Sequence, residues 1–322
     1  MPRQSIFPSA TTPPALQRGA ALILALMTVA LVTGIAAAIV VGLDVAVDST
    51  IGRHDQLQAR LLARSAVDMA RHLLAEDART GGVDHLGERW ATGIPRTAIE
   101  GGEITASILD MSGRINLNDL VSQTDDHAGN IAATLRLFEM LGLKDSESLL
   151  AALLDWLDPD DTPRVPGGAE SAWYGAQRMP HRAANAKLVS IEELGQVRGF
   201  SPEIVAALMP FVVALPGVSP VNVNTARAEV LSAAVPGLSP AAAQMLVSER
   251  QRAWFKDVPD FTARQSSDQA ESAPSETMAQ LSTGSRYFFV TGRARYGVAL
   301  VRMEALLERS ENWSTIVWQR FP

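Results

Sequence analysis

Cysteine is absent from the 322 residues. That removes disulfide frameworks, thiolate zinc sites, iron–sulfur clusters and thiol nucleophiles together. Positive charge is in short supply: 28 lysines and arginines stand against 35 aspartates and glutamates, a net charge of −7. Such a balance argues against a protein that grips nucleic acid through its overall field. Aromatic residues are scarce at 6%, yet 47% of the chain is hydrophobic, enough to bury sizeable cores and exclude wholesale disorder. The histidines, at 54, 72, 85, 127 and 181, form no i, i+4 pair, so a helical zinc motif is missing. At about 150 residues per domain, the length suggests two domains beyond any leader.

Charge is missing altogether from Ala20 to Leu43, a run of 24 residues. As a helix it would reach about 36 Å, enough to cross about 30 Å of hydrocarbon. Arg18 precedes the run while Asp44 and Asp48 follow it, so the basic side is expected in the cytoplasm and the bulk of the chain exported. A buried core helix and a cleaved secretory signal are the rival readings. Against both, the apolar run passes without a turn into more helix. Residues 53–78 contain no proline, and Ala59, Leu62, Ala63, Ala66, Met69, Ala70 and Leu73 form one stripe. Arg53, Arg60, Arg64 and Arg71 fall on the opposite face, and Gly81-Gly82 stops the helix. The expectation is one helix over about 20–79, interrupted near Gly34, Gly42 and Gly52. An extended, proline-containing arm should precede it.

Farther on, the hydrophobic period shortens. Glu103 to Asp110 reads as a strand, with Ser112-Gly113 as a turn before Ile115. Strand character returns at Tyr287 to Arg295, Val298 to Leu307 and Trp313 to Arg320, as an antiparallel meander. Between them the chain reads mainly helical. The expected fold class is therefore α+β: a long N-terminal helix packed on an antiparallel sheet, with a large helical domain inserted between strands. Its parts are a membrane helix over 20–43, helix continuation and first strands over 44–124, and the inserted helical domain over 125–262. A flexible low-complexity loop over 263–285 and the final strands over 286–322 follow.

The insertion holds a near-repeat. Gly199-Phe200-Ser201-Pro202, then Leu208, corresponds to Gly237-Leu238-Ser239-Pro240, then Leu246. In each, serine can cap a helix whose first turn accepts proline. With upstream helices near Ile191 to Val197 and Ala226 to Val235, these make two helix–hairpin–helix-like units. Hairpins of this kind can offer backbone N–H groups to phosphate. Residues 186–264 hold seven basic and seven acidic residues, however, and leave no electrostatic footprint. No nucleic acid is expected, and structural use of the hairpins is favoured.

A second constellation is acidic: Asp155, Asp158, Asp160 and Asp161, Thr162, then Glu170 after Gly167-Gly168. Oxygen donors spaced two apart on an irregular loop, with a distant glutamate, suit calcium, which needs six to eight oxygens. Asp158, Asp160 and Glu170 are the main candidate ligands, with Asp161 and a Thr162 carbonyl as further ones. The spacing is not that of an EF-hand loop. A solvated loop at a helix end is the alternative, and a metal-dependent hydrolase is a weaker one, since no nucleophile or base accompanies the acids. No catalytic residue is assigned.

Gln17-Arg18-Gly19 followed by Ala20-Ala21-Leu22-Ile23-Leu24 resembles a type III, or prepilin, signal. That resemblance implies cleavage by prepilin peptidase between Gly19 and Ala20, and N-methylation of Ala20. Residues 1–19 would be the leader, longer than most of its class, and its loss removes Arg3 and Arg18, leaving 26 basic against 35 acidic residues, net −9. The fifth mature position, glutamate in major pilins, is Leu24 here. A membrane-buried carboxylate can neutralise a neighbouring subunit's terminal ammonium, so Leu24 marks either a subunit that does not dock beneath another or one more apolar residue.

Further stretches carry a wider resemblance: Gly82 to Glu88, Arg114 to Leu120, Leu154 to Asp158, Gly168 to Glu170, Tyr174, His181 to Asn185, Pro220 to Ala226 and Arg286 to Phe288. In this order they resemble the minor pseudopilin K family of type II secretion. The resemblance implies a pilin-like fold interrupted by a helical domain, anchored in the inner membrane and facing the periplasm. It also implies calcium binding and a tip complex with I- and J-type minor pseudopilins, which starts the filament of major pseudopilin. Where that family often shows Glu-Asp, this chain has Glu170-Ser171, one potential ligand fewer. A membrane-anchored DNA-uptake receptor is the alternative function.

Overall fold

The computed structural model describes residues 15–121, 127–265, 280–310 and 313–322. The chain falls into two units, residues 1–58 and 59–322. The first is the start of α1 (Ala15–Thr80), a helix of 66 residues. Its apolar part is exposed throughout, and it is the one helix among the described residues apolar and long enough to cross a membrane. Two expectations change. The helix begins at Ala15 rather than at 20, so residues 15–18 of the expected extended arm are helical, while residues 1–14 lie outside the described ones. The helix also continues through Gly34, Gly42 and Gly52. Glycine weakens a helix by about 1 kcal/mol relative to alanine but keeps its backbone donor, so it need not break one.

In the second unit α1 lies on a five-stranded antiparallel sheet in the order β1-β2-β7-β8-β9. The strands are β1 (Ile94–Ile99), β2 (Gly102–Asp110), β7 (Tyr287–Tyr296), β8 (Ala299–Glu308) and β9 (Thr315–Arg320). A short helix, α2 (Arg89–Thr92), precedes them. Strand alternation gives the sheet two working faces. Ile104, Ala106, Ile108, Phe288, Val290, Met303, Ala305 and Leu307 face α1, where Ala63, Ala66, Val67, Ala70 and Leu74 meet them fully buried. Small residues set the closeness of this packing. A Cβ on Gly292 of β7 would come within 2.7 Å of the Ala63 carbonyl. Of the stripe expected on α1, the four alanines are buried and Leu62 and Leu73 half-buried, whereas Met69 is 45% exposed.

The opposite face presents Met111, Tyr287, Phe289, Leu306 and Trp318 to Val213 and Leu215 of the helical region. That region is built from α3 (His127–Met140), α4 (Ser146–Leu157), α5 (Ser171–Gly175), α6 (Pro202–Leu208), α7 (Ala228–Ala234), α8 (Pro240–Arg250) and α9 (Val258–Ala263). It has its own apolar core, in which Leu137, Phe138, Leu153, Leu194, Leu208 and Leu231 are closed to solvent. Ser201 and Ser239 cap α6 and α8 by accepting from the N–H groups of Ile204 (3.4 Å) and Ala242 (3.2 Å). Gly199 and Gly237 precede them at φ +86° and +77°. The helix expected from Ile191 is a 3₁₀ turn, Ile191–Gln196. Two short parallel pairs close the region: β3 (Ile115–Asn116) with β4 (Val212–Val213), and β5 (Val221–Asn222) with β6 (Leu281–Ser282). Most of the loop expected over 263–285 lies outside the described residues, as does the boundary at 124.

The helical region joins the sheet through a buried polar junction. The Asn222 amide donates to Ser285 Oγ (2.7 Å), the Asp84 carbonyl (3.1 Å) and Asp110 Oδ2 (3.4 Å). Asp110 Oδ2 also accepts from Ser285 (2.6 Å) and Thr225. Arg309 closes the junction from β8's end: it donates to Asp77 (2.8 Å) and to both Asp84 carboxylate oxygens, and its side chain is only 10% exposed. Removing one partner of a buried pair strands the other charge. Arg309→Met should therefore destabilise the full chain by about 3–5 kcal/mol, read by denaturant titration; a loss below about 1 kcal/mol would show the junction to be dispensable.

Candidate functional site

The acidic loop begins where α4 ends. Asp155 is on the last turn and completely buried, and Asp158 follows the helix in extended conformation, 6% exposed. Arg164 turns back onto them. Its backbone N–H donates to Asp155 Oδ2 (3.1 Å), and its guanidinium donates to Asp155 Oδ1 (2.8 Å) and to Asp158 Oδ2. Gly168 fits because it lacks a side chain: a Cβ there would lie 2.2 Å from Asp155 Oδ2 and 2.5 Å from the Arg164 carbonyl. The chain then reaches Glu170, just before α5, with 4% of its surface exposed.

Glu170 has the position of a helix N-cap yet caps nothing. Both of its carboxylate oxygens are buried without a hydrogen-bond partner, and so is Asp158 Oδ1. One oxygen from each of Asp158, Asp160 and Glu170 lies within 4.8 Å of the other two. Oxygens about 2.3–2.6 Å from a shared cation stand up to about 5 Å apart, so the spacing is compatible with a shared ion. Burial, then the charges of Asp155, Asp158, Asp161 and Asp160, push the Glu170 pKa up to about 7. Without a cation these carboxylates repel one another, and Asp155, Asp158 and Glu170 do so largely closed to water.

An aromatic wall holds the loop. Tyr174 packs edge-on against Trp156 (5.1 Å) and Trp173 (5.0 Å), and its hydroxyl accepts from the Arg198 N–H (3.1 Å). Arg198 in turn donates to the Gly168 carbonyl (3.1 Å).

Two family models, both described as type II secretion system (T2SS), protein K, match residues 113–217 and 221–283. Type II secretion system protein K of Pseudomonas aeruginosa is 33% identical over 313 residues, covering 94% of this chain and 92% of the relative. The proteins of that name from Pectobacterium carotovorum and Klebsiella pneumoniae are each 30% identical, covering 95% of this chain and 96% of theirs. The chain belongs to the type II secretion system protein K family. The fold is similar to a chain in the crystal structure of the GspK-GspI-GspJ complex from enterotoxigenic Escherichia coli. The TM-score is 0.74 at 23% identity, over 85% of this chain and 99% of that one.

In this member of the protein K family, Asp158, Asp160 and Glu170 converge. Asp161 and Thr162 are exposed and stand beside the triplet; the Thr162 N–H donates to Asp160 Oδ1 (2.8 Å), and the Asp161 charge acts on Glu170. Gly19, Ala20 and Leu24 are exposed on α1, with the Gly19–Ala20 bond inside the helix. Two residues were not anticipated as part of the site. Arg164 is the internal cation on one flank. Asn185, at φ +46°, donates to the Asp160 carbonyl (3.1 Å) and keeps a buried Oδ1 without a partner. Asn185 stood in one of the stretches that resemble the family, but no spacing rule ties it to an acid 25 positions earlier.

The raised Glu170 pKa fixes a pH dependence. Its ordinary value is 4.5 and its folded value about 7, so its stabilising contribution is complete below 4.5 and lost as pH rises through about 7. In chelator, the melting temperature should fall between pH 5 and pH 8, and Glu170→Gln should flatten that fall; an unchanged slope in the variant would exclude Glu170 as its source.

Proposed function

We propose that this chain is a minor pseudopilin that starts and caps the pseudopilus, within a tip complex that drives folded proteins across the outer membrane. The observation that carries it is the helical region standing between β2 and β7. A pilin-like unit burdened with such a body on the sheet face away from α1 has little room to accept an identical unit above it. The partners implied are the two other minor pseudopilins, of I and J type, with the major pseudopilin filament below. Support for them comes from the complex named for the similar structure. Leu24 in place of a carboxylate fits a subunit with no neighbour's ammonium to neutralise. The apolar part of α1 is the inner-membrane anchor, with the N-terminus cytoplasmic and the second unit periplasmic. No enzymatic step is assigned. The DNA-uptake reading finds no support in the relatives, which are named for secretion.

Calcium is the cation proposed for the acidic loop. Asp158, Asp160 and Glu170 would hold it, with Asp161, Thr162 and the unpartnered Asn185 oxygen as added donors. Three buried, unpartnered carboxylate oxygens fit a hard cation better than they fit an empty loop. Its role would be structural, tying α4 to α5. The capped hairpins at Ser201 and Ser239 likewise serve the core rather than phosphate.

Three measurements test this. Co-expressed with its I- and J-type partners, the full chain should purify in a defined complex; monomers alone at tens of micromolar would sink the tip role. Intact mass with and without prepilin peptidase should show loss of residues 1–19 and one methyl group on Ala20, whereas cleavage beyond the apolar run would mean a free periplasmic protein. Calcium at millimolar concentration should also raise the melting temperature, and Asp158→Asn should abolish the rise; an identical rise in the variant would remove Asp158 from the site.

A further inference from the structure

Beyond the patch where Leu215 packs with Leu306, the sheet face away from α1 is open to solvent, and arginine dominates it. Arg96 of β1, Arg293 and Arg295 of β7, Arg302 of β8 and Arg320 of β9 point outward there. Two acids accompany them, and each is already shared. Glu103 of β2 lies between Arg96 (3.2 Å) and Arg295 (3.7 Å), and Glu304 of β8 between Arg302 and Arg320 (2.9 Å). The acids also lie deeper than their partners. The side chains of Glu304 and Glu103 are 7% and 28% exposed, whereas the four arginines paired with them are 48–73% exposed. Solvent therefore meets guanidiniums first.

Arg293 has no acid of its own. It is exposed, makes no hydrogen bond or ion pair with a described residue, and its cross-strand neighbours are Thr105 and Arg302. Residues directly opposite in a sheet stand about 5 Å apart, and like charges placed so destabilise it. An acid at position 105 would remove the conflict, yet none of the 35 in the chain is spent there. Neighbouring surface does not reverse the balance. Glu100 lies in the β1–β2 turn, past the last pair of that ladder. Toward the helical region Glu192 adds one acid, while Arg114 and Arg227 add two arginines. Apolar surface adjoins the cations: Leu300, 70% exposed, opposes Arg295, and Val298, 86% exposed, follows in the β7–β8 turn.

We propose that this open sheet face docks a short acidic segment of a partner protein, with carboxylates over Arg293 and Arg302 and an apolar side chain against Leu300. Carboxylates there meet guanidiniums that stand above their own acids, and they cancel the repulsion between the opposed pair. A nucleic acid would meet the same arginines. It would then run past them into the field of a chain whose net charge is −7, whereas screening over about 10 Å lets a short segment feel the patch alone. The inference rests on the sheet and is independent of the calcium site and of the tip role.

The test is isothermal titration of the full chain, in zwitterionic nanodiscs at low salt, with three probes. One is a blocked octapeptide with several glutamates around a central leucine, the second has glutamine at every glutamate, and the third is an oligothymidylate of twenty nucleotides. The glutamate peptide should bind at least tenfold tighter than the glutamine peptide, and tighter than the oligothymidylate. Arg293→Gln should weaken that binding at least fivefold while the melting temperature stays level or rises, because one of two opposed like charges is gone. Arg252→Gln, at an exposed arginine beyond α8, should leave the affinity unchanged. Equal binding of the two peptides would overturn the proposal, as would no binding of either. So would an undiminished affinity in Arg293→Gln, an equal loss in Arg252→Gln, or an oligothymidylate that binds as tightly as the glutamate peptide.

Discussion

The chain leaves its sheet at Asp110 and returns at Tyr287, and both ends of that excursion meet in one buried set of polar groups. Asp84, Asp110, Asn222, Ser285 and Arg309 come from the loop after the long helix, from β2, from the helical region and from the residues flanking β7 and β8. Apolar packing alone would let the helical region slide over the sheet, because apolar contact has no direction. Hydrogen bonds in a low-dielectric setting fix one arrangement and penalise every other through unsatisfied groups. A parallel set does the same nearby. Asn118 bonds both backbone groups of Leu188 and the carbonyl of Leu215, while Asn116 takes the N–H of Leu215 and donates to the Gly217 carbonyl. These side-chain amides replace strand pairing where no strand can reach.

Two acidic triplets sit in the same chain, and their differences are instructive. Asp77, Asp84 and Glu88 come together at the polar junction, but Arg309 stands among them and Trp90 donates to Glu88 (2.7 Å). That triplet has its cation built in. At Asp158, Asp160 and Glu170 the internal cation, Arg164, reaches one side only, and both Glu170 oxygens are left with no donor. Proximity of acids is common to both sites, so it cannot be what marks a metal site; unmet acceptor capacity in a buried place can.

Much of this was legible in advance. The uncharged run, the β2 alternation and the final meander follow from hydrophobic period alone, and they set the α+β class. The strand β1 escaped because Pro95 and Arg96 sit in an edge strand whose residues are at best half-buried, so no alternation marks it. Met69 misled because the helix turns its narrow alanine stripe, not its bulkiest side chains, toward the sheet: Gly292 demands close approach. At the acidic loop the ligand candidates were visible as a spacing. Arg164 was not, since what recruits it is a turn of the loop back on itself, made possible where Gly168 leaves room for Asp155, nor was Asn185, which reaches the Asp160 carbonyl from beyond α5.

The proposed tip role asks two things of one subunit, and they lie in different parts of the chain. In the first unit, an apolar helix with Leu24 in place of an acid would have nothing with which to hold a neighbour's ammonium inside a bilayer. In the second unit, a sheet that carries a helical body on the face away from α1 presents a poor seat for another copy. Either property alone is compatible with an ordinary filament subunit that happens to be decorated or weakly held. Together they allow such a subunit to begin a stack and prevent it from continuing one, which is the physical definition of an end.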